Sequence, residues 1–385
     1  MTPLVSVIIP CYNAGSMLNR CLASCFAQTY PNIEIIFVDN NSTDDSVSRA
    51  EQWAQGQRIP LKVVRCPEQG IAPARNRGFE FAQGDYIQWL DADDELSPDK
   101  IARQVAALES SVDSDIAYCD WEWCFFTNDK LVGRLPFSVR QYDDFLLRIL
   151  ANDWFPPHAY FLRRQAADRL NALGAWRHEA GSIEDRIYYT LAAIIGLKFL
   201  YTEGCSVRYN RWSDSQVTAK YDPENRLREH ALSFAWLRLH AANQPKSRLS
   251  ADHRWLLEQD WQSFRAAAQS SDDLSFSERN VFQIIAKRKK SYPPEIWAAR
   301  VAHAMWLSFM NHPVLGKEGP IKIREMMRQF LSMPTELEAE EAKEAMLYPS
   351  SQFPIVSPIL MQERLAIHRL LDRLAGKGFL EPISE

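Results

Sequence analysis

The sequence predicts a parallel, doubly wound α/β fold followed by a helical C-terminal part. Over roughly the first 120 residues, short runs of branched apolar residues alternate with helical patterns. This alternation is typical of parallel strands joined by crossover helices. From about residue 223 the helical patterns continue, but strand patterns almost disappear. We therefore expect residues 221–385 to form a helical domain or extension.

The individual elements are predicted from apolar spacing and from the residues that end each run. Leu18, Leu22 and Phe26 recur at the spacing of one helix face. A second helix is expected to begin at Ser42, which suits a helix N-cap. Strands are expected at 5–9, 33–38, 61–64, 85–90 and 115–118, and further helices at 73–83, 97–110, 224–242, 250–270, 276–290, 294–312, 320–333, 335–347 and 360–375.

Composition excludes several classes of protein. The 385 residues suggest two or three domains, and a net charge of −5 argues against wholesale coating of nucleic acid or an anionic membrane. We find no signal peptide and no transmembrane run of ~18 apolar residues. The seven cysteines contain no Cys-x-x-Cys pair, which favours buried reduced thiols. The expected location is the cytoplasm, with peripheral contact at the inner face of the membrane as an addition.

Polar residues follow the predicted strands at the points where the strands end. Pro10-Cys-Tyr-Asn13 follows the first strand, and Asp39 to Asp44 follows the second. Gly70 to Gly78 opens the third helix, and Asp91 to Asp94 follows the fourth strand. Ligands bind at the carboxyl ends of strands in parallel α/β sheets. The four segments therefore predict one ligand site at this edge of the sheet.

Asp91-Ala92-Asp93-Asp94 is the most informative of these segments. Its three carboxylates repel one another, and burying them together is costly unless a cation or hydrogen-bond donors compensate. Mg²⁺ and Mn²⁺ prefer such oxygen ligands and usually also bind phosphate oxygens of a substrate. The alternative is an acidic surface turn that caps the helix beginning at Ser97.

Taken together, these motifs resemble the family 2 glycosyltransferases of the GT-A fold. A downstream Glu184-Asp185 pair resembles the catalytic element of that family. The resemblance covers about residues 3–220 and implies a mixed, mainly parallel sheet in a catalytic domain at 1–220. That domain would divide into a nucleotide-binding half at 1–120 and an acceptor-binding half at 121–220. The motifs are Val5-Ser-Val-Ile-Ile-Pro-Cys-Tyr-Asn13, Gln28-Thr29, Val38-Asp39, Ser42-Thr-Asp44, Ala74-Arg-Asn-Arg-Gly78 and Gly84-Asp-Tyr-Ile-Gln-Trp-Leu-Asp-Ala-Asp-Asp94.

The resemblance assigns the nucleotide-binding residues one position at a time. Pro10 and Asn13 belong to the first nucleotide-binding motif. Tyr12 matches the residue whose ring packs on the base, and Asp39 matches the acid that hydrogen-bonds the base, typically uracil N3–H. Arg75 matches a basic residue near the base or the diphosphate. Without this context, Tyr12 would be read as a core aromatic, Asp39 as a cap and Arg75 as a surface ion pair.

The acidic segment and the Glu-Asp pair receive their roles in the same way. Asp91 matches the acid near the ribose and the metal, and Asp93 matches the metal ligand that bridges to the diphosphate. Ala92 lies between them, and Asp94 is expected to orient a metal-bound water or the sugar. Asp185 matches the catalytic base, and Glu184 is the neighbouring alternative. An acidic first helix turn, which the helix dipole favours, is the structural alternative for this pair.

One segment departs from the family pattern. Tyr209-Asn-Arg-Trp-Ser-Asp-Ser215 resembles a Tyr-Arg-x-His segment, but Trp212 stands in the His-like position and cannot bind a metal. Arg208 or Arg211 is then expected to meet the diphosphate electrostatically. His178, six residues before Glu184, is a candidate for the acceptor site, although a single His is more often structural.

The resemblance implies an inverting, metal-dependent transfer of sugar from a nucleotide-diphospho sugar, with UDP as the expected nucleotide. The cofactor would be Mn²⁺ or Mg²⁺, and the acceptor a hydroxyl of a glycan, a lipid-linked molecule or another compound. The alternatives are a catalytically degenerate sugar-nucleotide-binding scaffold and a sugar nucleotidyltransferase. No nucleic-acid partner is expected. The helical C-terminal part is a candidate for peripheral membrane contact or homo-oligomerisation.

Overall fold

The computed structural model describes residues 2–127, 129–137, 139, 141–150, 155–212, 223–254, 256–258 and 260–261. The strands within these ranges are β1 (Val5–Cys11), β2 (Ile33–Asp39), β3 (Leu61–Arg65), β4 (Tyr86–Trp89), β5 (Glu95–Leu96), β6 (Ile116–Thr127), β7 (Lys130–Phe137), β8 (Tyr160–Arg163) and β9 (Phe199–Trp212). The helices are α1 (Leu18–Phe26), α2 (Ser46–Ala54), α3 (Ile71–Phe81), α4 (Lys100–Ser110), α5 (Phe145–Leu150), α6 (Arg164–Ala172), α7 (Glu184–Ile194) and α8 (Pro223–Ala242).

The nine strands described form one mixed sheet in the order β3-β2-β1-β4-β8-β6-β9-β5, with β7 paired to β6. In the first half, β1 lies parallel to β2 and β4, and β2 lies parallel to β3. In the second half, β8 runs antiparallel to β4 and β6, whereas β9 runs parallel to β6. The prediction of a doubly wound, mixed sheet is therefore confirmed. The parallel half carries the ends of β1, β2 and β4 at one edge.

The second helix begins four residues later than predicted. The backbone N–H of Ser42 donates to Asp39 Oδ1 at 3.0 Å, and the N–H of Ser46 donates to Asp44 Oδ1 at 3.0 Å. These local bonds offer the backbone an alternative to the helix, as Asp and Ser often do at turns. The residues after β2 consequently form a loop, and α2 starts only at Ser46.

The fifth predicted strand is longer than expected, and β5 was not predicted. The sequence indicated a strand at 115–118, whereas β6 continues to Thr127 because it pairs with β7 and β9 on either side. The two residues of β5 show no alternation that a pattern could reveal, and they pair with Arg208 and Val207 of β9. Such pairing depends on tertiary context.

Helix α3 approaches the sheet closely at Gly78. A Cβ at this position would collide with the Cγ2 methyl groups of Ile8 and Val38, which are fixed in β1 and β2. Only glycine therefore lets α3 lie this near to the parallel strands. The close approach brings Arg75, one turn earlier in the same helix, under the carboxyl ends of those strands.

Helix α8 packs into the same hydrophobic core as the sheet. Phe234, Leu237 and Ala241 are buried there, and Leu256 and Leu257 from the helical residues after 250 join them. The helix predicted at 224–242 is present as α8, and the one predicted at 250–270 is helical at its described residues 251–254, 256–258 and 260–261. Residues 262–270 and the helices predicted from 276 onwards lie outside the described residues. The division of the chain near residue 220 stays a prediction.

All seven cysteines lie in described residues, where each is buried and none forms a disulfide. This confirms the prediction of buried free thiols. Within the described part of the chain, no helix has both the length and the apolar character needed to cross a bilayer.

Candidate active site

The loops after β1 and β2 are tied together by side-chain hydrogen bonds. Asn13 adopts a positive φ of 50°, its side-chain oxygen accepts the N–H of Thr43 at 2.8 Å, and its own N–H donates to Ser42 Oγ at 3.1 Å. Asp39 is buried at the end of β2, where it is paired with Cys11 of β1, and Tyr12, which follows Cys11, is 53% exposed. An exposed ring next to a buried carboxylate fits the expected binding of a base, and Pro10 lies buried in the strand that leads to this edge.

Asn40 connects this pair of loops to the start of α3. Its side-chain amide donates to the carbonyl of Cys66 at 3.0 Å and to that of Glu68 at 2.6 Å, and it accepts the N–H of Gly70 at 2.8 Å. Gly70 has a φ of 138°, and a Cβ there would lie 2.9 Å from Nδ1 of His178. The exposed His178 therefore borders the loop before α3. Asn40 was missed as a site residue, although its place directly after β2 is a signal.

Arg75 is the centre of the site. Its guanidinium is fully buried, donates to Asp91 Oδ1 at 2.7 Å and to Glu184 Oε1 at 3.0 Å, and lies 4.2 Å over the ring of Trp176. Burial alone would lower the pKa of Arg75, but the carboxylates of Asp91 and Glu184 raise it above its ordinary value. Arg75 thus joins the acidic segment to the Glu-Asp pair, and its expected contact with base or diphosphate stays a prediction.

Two buried acceptor atoms face each other beside Asp91. Nε2 of His158 lies 3.1 Å from the carbonyl oxygen of Arg208, which can only accept, so Nε2 carries the proton. Burial lowers the pKa of His158 to about 3, so the ring is neutral. Its Nδ1 lone pair then points towards Asp94 Oδ2 at 3.3 Å, and neither atom has a hydrogen-bond partner among the described residues. This arrangement calls for a cation or a proton between them.

A divalent cation fits this donor set. Ligand atoms of Asp91, Asp94 and His158 all lie within 4.8 Å of one another. Two carboxylates and a neutral imidazole are a combination that suits Mn²⁺, and Mg²⁺ prefers the carboxylates. His158 was not among the predicted ligands because 64 residues separate it from Asp94, as the two sequence numbers show, and its neighbours carry no ligand pattern. The fold brings it in on the turn before β8.

Asp93 lies next to this group without being part of it. Desolvation, followed by the charge of Asp91, raises the pKa of Asp93 to about 7. Burial, followed by the charges of Asp93 and Asp91, raises the pKa of Asp94 well above its ordinary value. Both raised pKa values indicate that ionising these carboxyl groups together is unfavourable without a nearby cation. Ala92 is buried between the acids, and the role of Asp93 as a metal ligand stays a prediction.

Glu184 and Asp185 are the first two residues of α7, and both side chains are buried. Asp185 Oδ1 accepts the backbone N–H of Arg186 at 2.6 Å, as suits a carboxylate at a helix N-terminus. Because successive helical side chains point about 100° apart, Glu184 meets Arg75 while Asp185 points elsewhere. Burial raises the pKa of Glu184 to about 7, even though Arg75 opposes that shift.

The raised pKa of Glu184 predicts a pH-dependent stability. The folded state holds the proton up to about pH 7, while the unfolded carboxyl releases it near 4.5. The stability that Glu184 contributes is therefore present below about pH 4.5 and is lost as the pH rises to about 7. We expect the difference in melting temperature between wild type and Glu184→Gln to fall across this window and to be flat above it. A difference that rises with pH would contradict the shift.

The three residues at the end of β9 occupy different surroundings. Arg208 pairs with Glu122 at 2.9 Å and with Glu95 at 3.2 Å, so two carboxylates already hold its guanidinium. Arg211 is partly buried and lies 5.3 Å over the ring of Trp123. Trp212 ends β9, and its side chain lies outside the described residues. A contact between either arginine and a diphosphate stays a prediction.

Comparison with known proteins bears directly on this edge of the sheet. A family model described as "Glycosyl transferase family 2" matches residues 6–170, a range that contains β1 to β4, Arg75 and the acidic segment. The match to this family covers 165 of the 385 residues. The resemblance in the sequence motifs is thereby confirmed, and the matched range ends before Glu184-Asp185.

Two bacterial relatives illustrate how far the similarity reaches. The chain is 40% identical over 136 residues to a protein named glycosyltransferase YibD of Escherichia coli K12, covering 35% of this chain and 39% of the relative. It is 39% identical over 124 residues to a glycosyltransferase of Haemophilus influenzae, covering 31% of this chain and 50% of the relative. The chain thus spans half or less of these relatives.

Solved structures support the fold over a longer stretch. The structure of Staphylococcus aureus TarS 1-349 in complex with UDP-GlcNAc matches with a TM-score of 0.54 at 18% identity, covering 76% of this chain and 82% of that one. At this identity the likeness speaks for the fold alone. The expected GT-A fold is confirmed.

Proposed function

We propose that the protein is an inverting glycosyltransferase that moves a sugar from a nucleotide-diphospho sugar to an acceptor hydroxyl. The observation that carries the proposal is the position of Arg75, which joins Asp91 of the acidic segment to Glu184 of the Glu-Asp pair. Residues expected to hold the donor and residues expected to activate the acceptor are thereby brought to one place. The match to family 2 over residues 6–170 supports the same reaction class.

A UDP-sugar is the donor we propose. Tyr12 offers an exposed ring for stacking, and Asp39 places a carboxylate at the end of β2 where it would accept the N–H of uracil. TarS, which shares the fold, was solved with UDP-GlcNAc. The acceptor is proposed only as a hydroxyl of a glycan, a lipid-linked molecule or another compound, since no described contact selects among them.

The residues suggest how a single displacement would proceed. The acceptor oxygen forms a bond to the anomeric carbon while the bond from that carbon to the diphosphate breaks, and the hydroxyl proton passes to the carboxylate of Asp185. Asp91, Asp94 and His158, with Asp93 as a further predicted ligand, would hold a divalent cation, which when bound would neutralise charge on the leaving diphosphate. Arg75 binds the carboxyl groups of Asp91 and Glu184 and fixes their positions. One base is sufficient because no glycosyl-enzyme intermediate forms.

A binding screen tests the donor and the metal together. We would measure the melting temperature with UDP-, GDP- and dTDP-sugars, each with and without Mn²⁺. The proposal expects a stabilising shift for UDP-sugars that is larger with Mn²⁺, and release of UDP when an acceptor mixture is added. Binding without turnover in any acceptor mixture would favour the alternative of a degenerate sugar-nucleotide-binding scaffold. Absence of any shift would contradict the proposal.

Asp93→Ala is expected to weaken the metal-dependent part of donor binding. Removing one carboxylate from the segment takes away the predicted bridge between metal and diphosphate, so we expect the Mn²⁺ needed for half-maximal UDP-GlcNAc binding to rise about tenfold or more. Calorimetric titration of UDP-GlcNAc at several Mn²⁺ concentrations measures this. Asp113→Ala, which removes an exposed carboxylate in the loop between α4 and β6, is the matched control. An unchanged Mn²⁺ response in Asp93→Ala would refute its role.

A further inference from the structure

The residue after the proposed base is held by the C-terminal helices. Arg186 places its guanidinium 3.6 Å from Asp260 Oδ2 and 5.1 Å over the ring of Phe234 in α8, and it donates to the carbonyl of Leu150 at 3.5 Å. The side chains of Arg186 and Asp260 are only 10% and 8% exposed. Removing one partner of an ion pair this buried strongly destabilises the fold, because the other charge is left buried without compensation. It connects the start of α7 to residues beyond 220.

Helix α8 also lies against the turn that leads into α7. Gly181, in the turn at residues His178–Ile183, has a φ of 53°, and a Cβ there would collide with the carboxylate of Glu229 in α8. The absence of a side chain at Gly181 therefore lets α8 approach the backbone of this turn. Two separate contacts thus join α8 and the following residues to the segment from His178 to Arg186.

The first turn of α7 is consequently held from two sides. Glu184 is bound by Arg75 from the nucleotide-binding half, and Arg186 is bound by Asp260 from the C-terminal helices. Asp185 lies between them in the chain. A rotation of α7 about its axis would displace all three side chains together, because they are spaced about 100° apart on one helix. Fixing residues 184 and 186 therefore fixes the direction of Asp185.

We propose that Asp260 is a positioning residue that acts through Arg186 to orient the carboxylate of Asp185. Residues 223–261 are then part of the catalytic unit and not a separate appendage. This inference rests on the proposed glycosyltransferase function. It gives the C-terminal helices a role in the reaction without any contact to the donor. Misplacing a catalytic group by ~1 Å can cost about 10²-fold in rate.

Asp260→Asn tests the proposal with little change of shape. We expect kcat for UDP release from UDP-GlcNAc with Mn²⁺ to fall about tenfold or more, while the donor KM stays within about twofold. Hydrogen exchange of backbone amides at 178–190 should accelerate. Asp260→Glu keeps the charge and should recover most of the rate. If Asp260 contributed only to stability, Asp260→Asn would lower the melting temperature, and kcat would not fall selectively while KM stays unchanged.

Glu258→Gln is the matched control. Glu258 forms an ion pair with Arg238 of α8, so this variant breaks an ion pair of the same helical residues after 250 that includes no residue of α7. Its kcat and its exchange at 178–190 should stay within about twofold of wild type. The same values in Asp260→Asn as in this control would overturn the proposal. If Asp260→Asn does not fold, Arg186→Lys replaces it, with the same split between kcat and KM expected.

Measuring both nucleotide release and hydrogen exchange distinguishes a failure of this inference from a failure of the proposed function. If wild type releases no nucleotide from any sugar nucleotide tested, the proposed function fails. The exchange comparison between Asp260→Asn and Glu258→Gln still decides whether Asp260 holds the turn before Asp185. Accelerated exchange in Asp260→Asn alone supports that contact, and equal exchange overturns it.

Discussion

Asp185→Asn is expected to reduce sugar transfer by about 10²- to 10⁴-fold while donor binding stays close to wild type. An asparagine keeps the shape of the side chain and its oxygen at the N-terminus of α7, but it cannot take a proton from the acceptor hydroxyl. The base acts mainly in the transition state, so we expect the variant to lower kcat and to leave the affinity for the donor nearly unchanged. Calorimetric titration of UDP-GlcNAc with Mn²⁺, run beside the transfer assay, measures both quantities.

Glu184→Gln is the comparison that identifies the base. Glu184 is engaged by Arg75, and burial raises its pKa to about 7, a value that would also suit a general base. We expect this variant to lose much less transfer than Asp185→Asn, because the role of Glu184 is to anchor the first turn of α7. If Glu184→Gln is the inactive variant and Asp185→Asn remains active, the two roles are exchanged. Full activity in both would contradict a carboxylate base at this position.

Much of the fold could be predicted because the first half of the sheet is built from local patterns. The strands β1, β2 and β4 are largely buried apolar runs that end near a proline or a charge, and helix α1 shows its buried face in Leu18 and Leu22. The second half depends on pairing between distant residues. Strand β5 exists only because Glu95 and Leu96 meet β9 more than a hundred residues later. No local pattern encodes such a contact.

The candidate site could be predicted as a set of segments but not as a network. Strand ends place Asn13, Asp39 and Asp91 at one edge, which the order of the motifs already indicated. The sequence could not show that Arg75 would be fully buried between Asp91 and Glu184, since Arg75 lies in a helix with two other polar neighbours. Ion pairs across distant elements depend on how closely helices approach the sheet, and here Gly78 sets that distance.

The role of His158 and the contacts of α8 likewise could not be predicted from local sequence patterns. A single histidine carries no ligand pattern, and only its position against Asp94 and Arg208 gives it a charge state and a direction. The helical pattern after residue 223 predicted α8 itself. It did not predict that α8 would share a core with the sheet through Phe234 and Leu237. Apolar positions reveal that a helix packs against something, while the partner is decided by the fold.

Arg75→Met is expected to destabilise the protein by about 3–5 kcal/mol at pH 8. Methionine fills a similar volume beside Trp176, but the carboxylates of Asp91 and Glu184 lose the cation that both contact. The side chain of Asp91 is 20% exposed and that of Glu184 is 11% exposed, so water compensates Glu184 less. Urea unfolding curves measure the free energy of unfolding. The exposed pair of Arg49 and Asp45 provides the control, since Arg49→Met should change the free energy of unfolding little.

The pH dependence and a double variant separate lost charge compensation from lost packing. A proton neutralises Glu184 at low pH, so the cost of Arg75→Met should be smaller at pH 5 than at pH 8. Arg75→Met combined with Glu184→Gln should recover part of the stability, because one of the two uncompensated charges is then absent. A cost that is equal at both pH values and unchanged by Glu184→Gln would mean that packing against Trp176, and not the two carboxylates, explains why Arg75 is buried there.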